Sequence, residues 1–243
     1  MTEPASTSKA VRPLDAVERR VLGTLVEKGK TTPDQYPLSL NALVTGCNQK
    51  SNRDPVMTLD EEQVTRAILS LRAAGAMAEV FGSGKIPRYR HLAYEWLGVE
   101  KEELAILGEL LLRGAQTEGD LRGRASRMDP IPDLDVLRGH LDRLAARGLV
   151  VWLSPPGRGR MLTHGLLPAE TLEKVRSQVG VAGGAETETP SADAGGTGDQ
   201  VAGSAGPSRA AAAASLEARV ARLEESLAAV LERLDAIDGG GGG

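Results

Sequence analysis

Three things are scarce in this sequence: aromatic rings, cysteine and long apolar runs. Phe, Tyr and Trp together make up 2% of the 243 residues, so its cores must be aliphatic, built from Leu, Val and Ala. Cys47 is the single cysteine, which rules out an intrachain disulfide and leaves no thiolate set for zinc. No apolar run approaches the ~18–20 residues needed to span a bilayer. The N-terminal MTEPASTSKAVRP lacks the apolar segment of a secretory signal. These absences point to a cytoplasmic protein with no membrane partner. Enzymatic motifs are missing too: no HExxH, GxSxG or phosphate-loop pattern occurs. The three histidines are His91, His140 and His164, and Cys47 follows Gly46 near an expected helix C-terminus, where the dipole opposes a thiolate. The expectation is a non-enzyme with no cofactor and no metal, and with Cys47 as a packing residue.

Net charge is -4, but it is spread unevenly. Residues 14–176 carry 23 Lys and Arg against 22 Asp and Glu, whereas residues 177–243 carry 4 against 10. A near-neutral body gives no electrostatic footprint for nucleic acid on its own.

The body reads as one pattern written twice. A first helix fits Asp15 to Lys28, with Asp15 as cap, Glu18 at the capping-box position and Val17, Val21, Leu22, Leu25 and Val26 on one face. A shorter helix begins near Ser39. A third runs from Leu59 to Ala74, capped at Thr58, with Val64, Ala67, Ile68 and Leu71 inward. MAEVFGSGKIPRYRHL (77–92) then reads as strand, glycine turn and strand. In the second pass LAILGELLLRG (104–114) answers VLGTLVEKG (21–29), TEGDLRGRASRM (117–128) is a short helix capped by Thr117, and DLDVLRGHLDRLAARG (133–148) is a third helix. LVVWLSPPGRGRMLTH (149–164) closes it as a second hairpin. The first halves align at an offset of 85 residues and the second halves at 73, so repeat one carries 12 extra residues between its first and third helices.

Three helices followed by a hairpin is the winged-helix order. The expected fold is therefore mainly α with small β-hairpins: tandem winged-helix domains over 14–94 and 95–176, behind a disordered lead at 1–13. Residues 177–215 are rich in Gly, Ala, Ser, Thr and Pro and read as a disordered linker. Leu216, Val220, Leu223, Leu227, Val230, Leu234 and Ile237 then alternate spacings of four and three, the heptad signature of a coiled-coil helix over 216–238. The chain would associate through it as a homo-oligomer. The other reading of those residues is an amphipathic helix folded back on the body. Residues 239–243 form a flexible glycine tail.

All three asparagines, Asn41, Asn48 and Asn52, lie inside the extra length of repeat one. The string VLGTLVEKGKTTPDQYPLSLNALVTGCNQKSNRDPVM, with LLLRGAQT at 110–117, resembles the YceH-like family of bacterial tandem winged-helix proteins over residues 14–165. The resemblance implies the fold. It transfers no catalytic residue, because the family's biochemical role is unassigned.

Asn48, Gln49, Lys50, Ser51, Asn52 and Arg53 form an unbroken polar run without negative charge. Such a run can hold a phosphate backbone or base edge, or it can stitch a long turn internally through side-chain-to-backbone bonds. Winged helices also use their hairpins on DNA. The expected contacts with duplex DNA or a protein partner are Asn48, Gln49, Lys50, Asn52 and Arg53 in the loop, with Lys85, Arg88 and Arg90 on the first hairpin. On the second repeat they are Arg122, Arg124 and Arg127 on its short helix and Arg158 and Arg160 on its hairpin. Against DNA stand the acidic starts of both third helices, Asp60-Glu61-Glu62 and Asp133 with Asp135. The alternative is a protein-interaction scaffold using the winged-helix surfaces and the coiled coil.

Overall fold

The computed structural model describes residues 11–81, 86–157 and 159–183, which lie in one compact unit. The heptad segment, most of the 177–215 stretch, Lys85 and Arg158 fall outside the described residues.

Helix α1 (Ala16–Thr31) starts where its capping box dictates: the Asp15 side chain accepts from the Glu18 N–H, and the Glu18 carboxylate accepts from the Asp15 N–H. Its apolar face of Val21, Leu22, Leu25 and Val26 is fully buried. A single 3-10 turn (Pro33–Gln35) and a two-residue strand β1 (Leu38–Ser39) lead into α2 (Leu40–Cys47). Helix α3 (Glu61–Ala74) is capped by Asp60 rather than Thr58, because Asp60 and Gln63 exchange a reciprocal pair of bonds. Strands β2 (Met77–Phe81) and β3 (Pro87–His91) form the hairpin, and β1 adds to β3, giving an antiparallel sheet of order β1-β3-β2.

After a short α4 (Ala93–Leu97) the order recurs: α5 (Lys101–Arg113), β4 (Gln116–Thr117), α6 (Glu118–Ala125), α7 (Leu134–Ala146), β5 (Val150–Trp152) and β6 (Met161–His164). Its sheet runs β4-β6-β5, again antiparallel. The match reaches single bonds. The imidazole Nδ1 of His91 accepts from the Ala93 N–H at 3.4 Å, and that of His164 from the Leu166 N–H at 3.2 Å. Each histidine thus ends its hairpin by capping the turn two residues on. A last helix, α8 (Ala169–Gly183), runs into the stretch whose composition suggests disorder from residue 177. Leu172, Val175 and Val179 recur at spacings of three and four along it and are half-buried, which holds it on the body.

The two copies share one core. α1 and α5 pack side by side, and each brings a glycine to the crossing. A Cβ on Gly23 would lie 2.9 Å from Leu112 Cγ and 3.2 Å from Leu111 Cβ, and one on Gly108 would lie 2.7 Å from Val26 Cγ1. The backbones therefore approach more closely than any larger residue permits. The Asp54 N–H donates to the Leu112 carbonyl at 3.0 Å, and the Leu14 N–H to the Leu166 carbonyl at 2.8 Å. Lys30 pairs with Asp129 and donates to the Lys101 carbonyl. The repeats are fastened along their length.

Candidate functional site

The asparagine window folds inward. Asn48 closes it as a bidentate clasp: its Nδ2 donates to the Leu59 carbonyl at 2.8 Å, and its Oδ1 accepts from the Leu59 N–H at 2.7 Å. This fixes both ends of the 48–59 loop. The Arg53 side chain is fully buried. Its Nη2 and Nη1 reach the two Glu27 oxygens at 2.7 and 3.2 Å, and the guanidinium also donates to the Gly46 carbonyl and to Gln49 Oε1. Asn52 adopts a left-handed φ of 55°, which asparagine tolerates better than most residues. From there its Nδ2 reaches Glu27 Oε1 at 3.0 Å and Glu109 Oε2 at 3.3 Å, while its Oδ1 accepts from Arg127 Nη2 at 2.6 Å. One amide thus joins α1 of the first repeat to α5 and the turn after α6 in the second.

The two acids in this cluster sit in opposite electrostatic conditions. Burial alone would raise Glu27, but Arg53 and Asn52 outweigh it and hold the carboxyl below the usual range. Glu109 is fully buried, and burial dominates there, raising its pKa despite Asn52 and three arginines nearby. Glu27 is therefore a firmly ionised anchor and Glu109 a strained one.

Most of the other expected contact residues are also engaged internally. Arg122 donates to the Ile131 and Pro132 carbonyls, and Arg124 to Gln116 Oε1 at 2.6 Å. The Arg160 guanidinium lies 3.5 Å over the Trp152 ring. Arg88 is exposed yet donates to the Pro37 carbonyl at 2.9 Å. Lys50 and Arg90 are exposed. Asn48, Gln49, Asn52 and Arg53 thus spend their polar groups on internal bonds, and the Arg53 side chain has no exposed face. What polar composition could not reveal was the demand from within: Glu27 and Glu109 lie on helix faces that pack inward, and buried acids need cations.

Cys47 is buried, its thiol raised to about 11 by burial, and it contacts the Thr24 hydroxyl. Among the described residues no group of three or more His, Cys, Asp or Glu is placed to hold a metal ion, and no helix is long and apolar enough to cross a membrane.

One surface feature escaped the sequence reading. Phe81 and Ile86, which flank the tip of the first hairpin, are 67% and 69% exposed. Phe81 is the only phenylalanine in the chain.

Residues 14–158 match the family described as "Protein of unknown function, DUF480". The chain belongs to that family. It is 56% identical over 175 residues to a UPF0502 protein of Rhodopirellula baltica, covering 70% of this chain and 74% of the relative. A UPF0502 protein of Geotalea daltonii is 53% identical over 148 residues, 60% and 68% of the two chains. One from Koribacter versatilis is 45% identical over 161 residues, 65% and 75%. The DUF480 match contains the whole Glu27, Asn52, Arg53, Glu109 and Arg127 cluster and stops short of β6 and α8.

Proposed function

We propose that this DUF480 chain is a non-enzymatic tandem winged-helix module that docks a protein partner through the tip of its first hairpin. The winged-helix reading is supported by the element order, in which a short strand after the first helix completes a three-stranded sheet with the hairpin. The docking reading is carried by the exposed pair Phe81 and Ile86. In a chain so poor in aromatics, the only phenylalanine is spent on the surface, and a second large apolar residue is exposed across the same turn. Large apolar side chains left exposed on both sides of a hairpin turn can anchor a partner, and aromatic side chains are typical anchors of protein interfaces. The 216–238 heptads would make the module an oligomer and raise its avidity.

A second reading, duplex DNA gripped by the same hairpin, is favoured by one observation: Arg88 and Arg90 alternate along β3 and are both exposed. The loop 48–53 gives that reading no support, and α3 and α7 present Glu61, Glu62, Asp133 and Asp135 to solvent.

The test is a nuclease-treated pull-down with the wild type and with Phe81→Ser/Ile86→Ser, followed by direct titration of the captured partner. Docking requires that a partner survives nuclease and binds the double variant at least tenfold more weakly, with the fold unchanged by circular dichroism. Partner binding that is indifferent to both substitutions contradicts it. Duplex affinity that falls steeply with salt and is weakened by Arg88→Ala/Arg90→Ala would establish the second reading instead. Removing residues 209–243 should reduce the hydrodynamic size by more than their mass; an oligomeric state that survives the truncation rules out the heptads.

A further inference from the structure

A cleft of ≈ 370 Å³ opens between α1, the C-terminal end of α5, the end of β6 and α8. That is within the range of small-ligand sites, ~300–1,000 Å³. Its lining is sharply divided. Arg19, Arg20 and Arg113 stand against one acid, Asp54, while Leu110, Leu111 and Leu167 with Val175 and Val179 of α8 form an apolar wall.

Arg20 is the unusual member. It is 2% exposed and has no carboxylate partner among the described residues. Its Nη1 and Nη2 are spent on the Cys47 and Pro55 carbonyls at 2.9 and 2.5 Å, and its Nε is buried without an acceptor. Thr163, 1% exposed, lines the same cleft with its hydroxyl unpartnered. Arg19 spends one nitrogen on the Leu14 carbonyl and forms no ion pair among the described residues. Arg113 has only Glu109, at 3.9 Å. Buried charges are normally paired, and buried polar groups normally bonded. A cation surplus, an unpartnered donor and an unpartnered hydroxyl thus belong to residues lining one cleft, whose aliphatic wall is also open.

We propose that this cleft binds a small aliphatic carboxylate, its head among Arg19, Arg20, Arg113 and Thr163 and its chain along the α8 wall. Charge selects the head, because an anion offsets the surplus and an amine adds to it. The wall selects the tail, because α8 leaves Val175 and Val179 half-buried in the free protein, and a hydrocarbon chain would complete their burial. α8 would then be held more firmly on the body when the ligand is bound. The proposal is independent of the docking surface, whose Phe81 and Ile86 do not line the cleft.

Thermal unfolding of the full chain with octanoate, octanol or acetate tests it. Octanoate at about one hundred times its Kd should raise Tm by roughly 5–10 °C, while octanol and acetate leave it unchanged. Arg20 also holds two backbone carbonyls, so its variants risk misfolding; Val175→Trp, which fills the cleft from α8, should abolish the octanoate shift in a folded protein. Thr163→Val should weaken octanoate roughly tenfold. No shift with octanoate, an equal shift with octanol or acetate, or a shift that survives Val175→Trp overturns the assignment.

Discussion

Buried charge in this protein is decided residue by residue, and the two acids of the inter-repeat cluster show how differently. Glu27 is matched by a fully buried Arg53 in a two-point bond, so removing either partner strands the other. Arg53→Met and Glu27→Gln should each cost about 3–5 kcal/mol, read from urea denaturation midpoints. Glu109 faces no such partner; its ionised form is disfavoured by burial, and a glutamine still accepts from Asn52. Glu109→Gln should therefore leave stability unchanged or raise it. Lys50→Ala, in the same window but exposed, should change stability by under about 0.5 kcal/mol.

The histidines act at the same scale through protons. Burial holds His164 neutral down to a pKa of about 3, with Arg19 adding to the effect, and it holds His91 neutral to about 4, against an ordinary 6.5 for both. Between those limits the unfolded chain binds protons that the folded one refuses, so stability falls as pH drops below about 6.5. Glu18 adds to this at lower pH. Burial would raise its carboxyl, but Arg12, Ser70 and the Asp15 N–H bring it down to about 2 from 4.5, so its stabilisation is lost as pH falls from 4.5. In His164→Asn the amide oxygen can still accept from the Leu166 N–H. Its Tm should decline less than the wild type's between pH 6.5 and 4; parallel declines would remove His164 from the account.

Among the elements, the crossing of α1 and α5 is the most exacting. Gly108→Ala drives a methyl to 2.7 Å from Val26 Cγ1, and overpacking of this kind costs about 1–3 kcal/mol. Val26→Ala alone leaves a cavity. Together they should cost less than the sum of the two, a coupling of about 0.5 kcal/mol or more by double-mutant cycle. Additive costs would mean that the helices do not meet at these positions.

What could be read in advance follows from what each element needs. Helices α1, α3, α5 and α7 announce themselves because a buried stripe imposes a 3.6-residue period and a cap marks the start. The hairpins show because glycine turns punctuate β-formers. Strands β1 and β4 are two residues long, too short for any period, and exist only because β3 and β6 have an edge to pair. α8 was hidden by a composition that shades into glycine, although its spacing of Leu172, Val175 and Val179 was present to be seen. The window's polarity was visible, but not its direction. An asparagine that bonds a phosphate and one that bonds Leu59 or Glu27 look alike until the partner is known. The exposed Phe81 and Ile86 were within sight too, on either side of the glycine turn at the hairpin tip.

At the level of the whole molecule, the extra length of repeat one is mortar. It leaves α2, bonds Glu27 of its own repeat through Arg53, reaches Glu109 and Arg127 of the other through Asn52, and hydrogen-bonds α5 through Asp54. The two repeats should then rise and fall as one cooperative body, not as beads on a string. Native-state hydrogen exchange tests this most directly, using peptides from α3 and α7, which lie in different repeats. Their slowest amides should report the same opening free energy, and Arg53→Met should lower both by an equal amount, although the hydrogen bonds of Arg53 go to Gly46, Glu27, Gln49 and Asn52, outside both helices. If the substitution strips protection from α3 while α7 keeps its own, the repeats are separate folding units and the clasp between them is decoration.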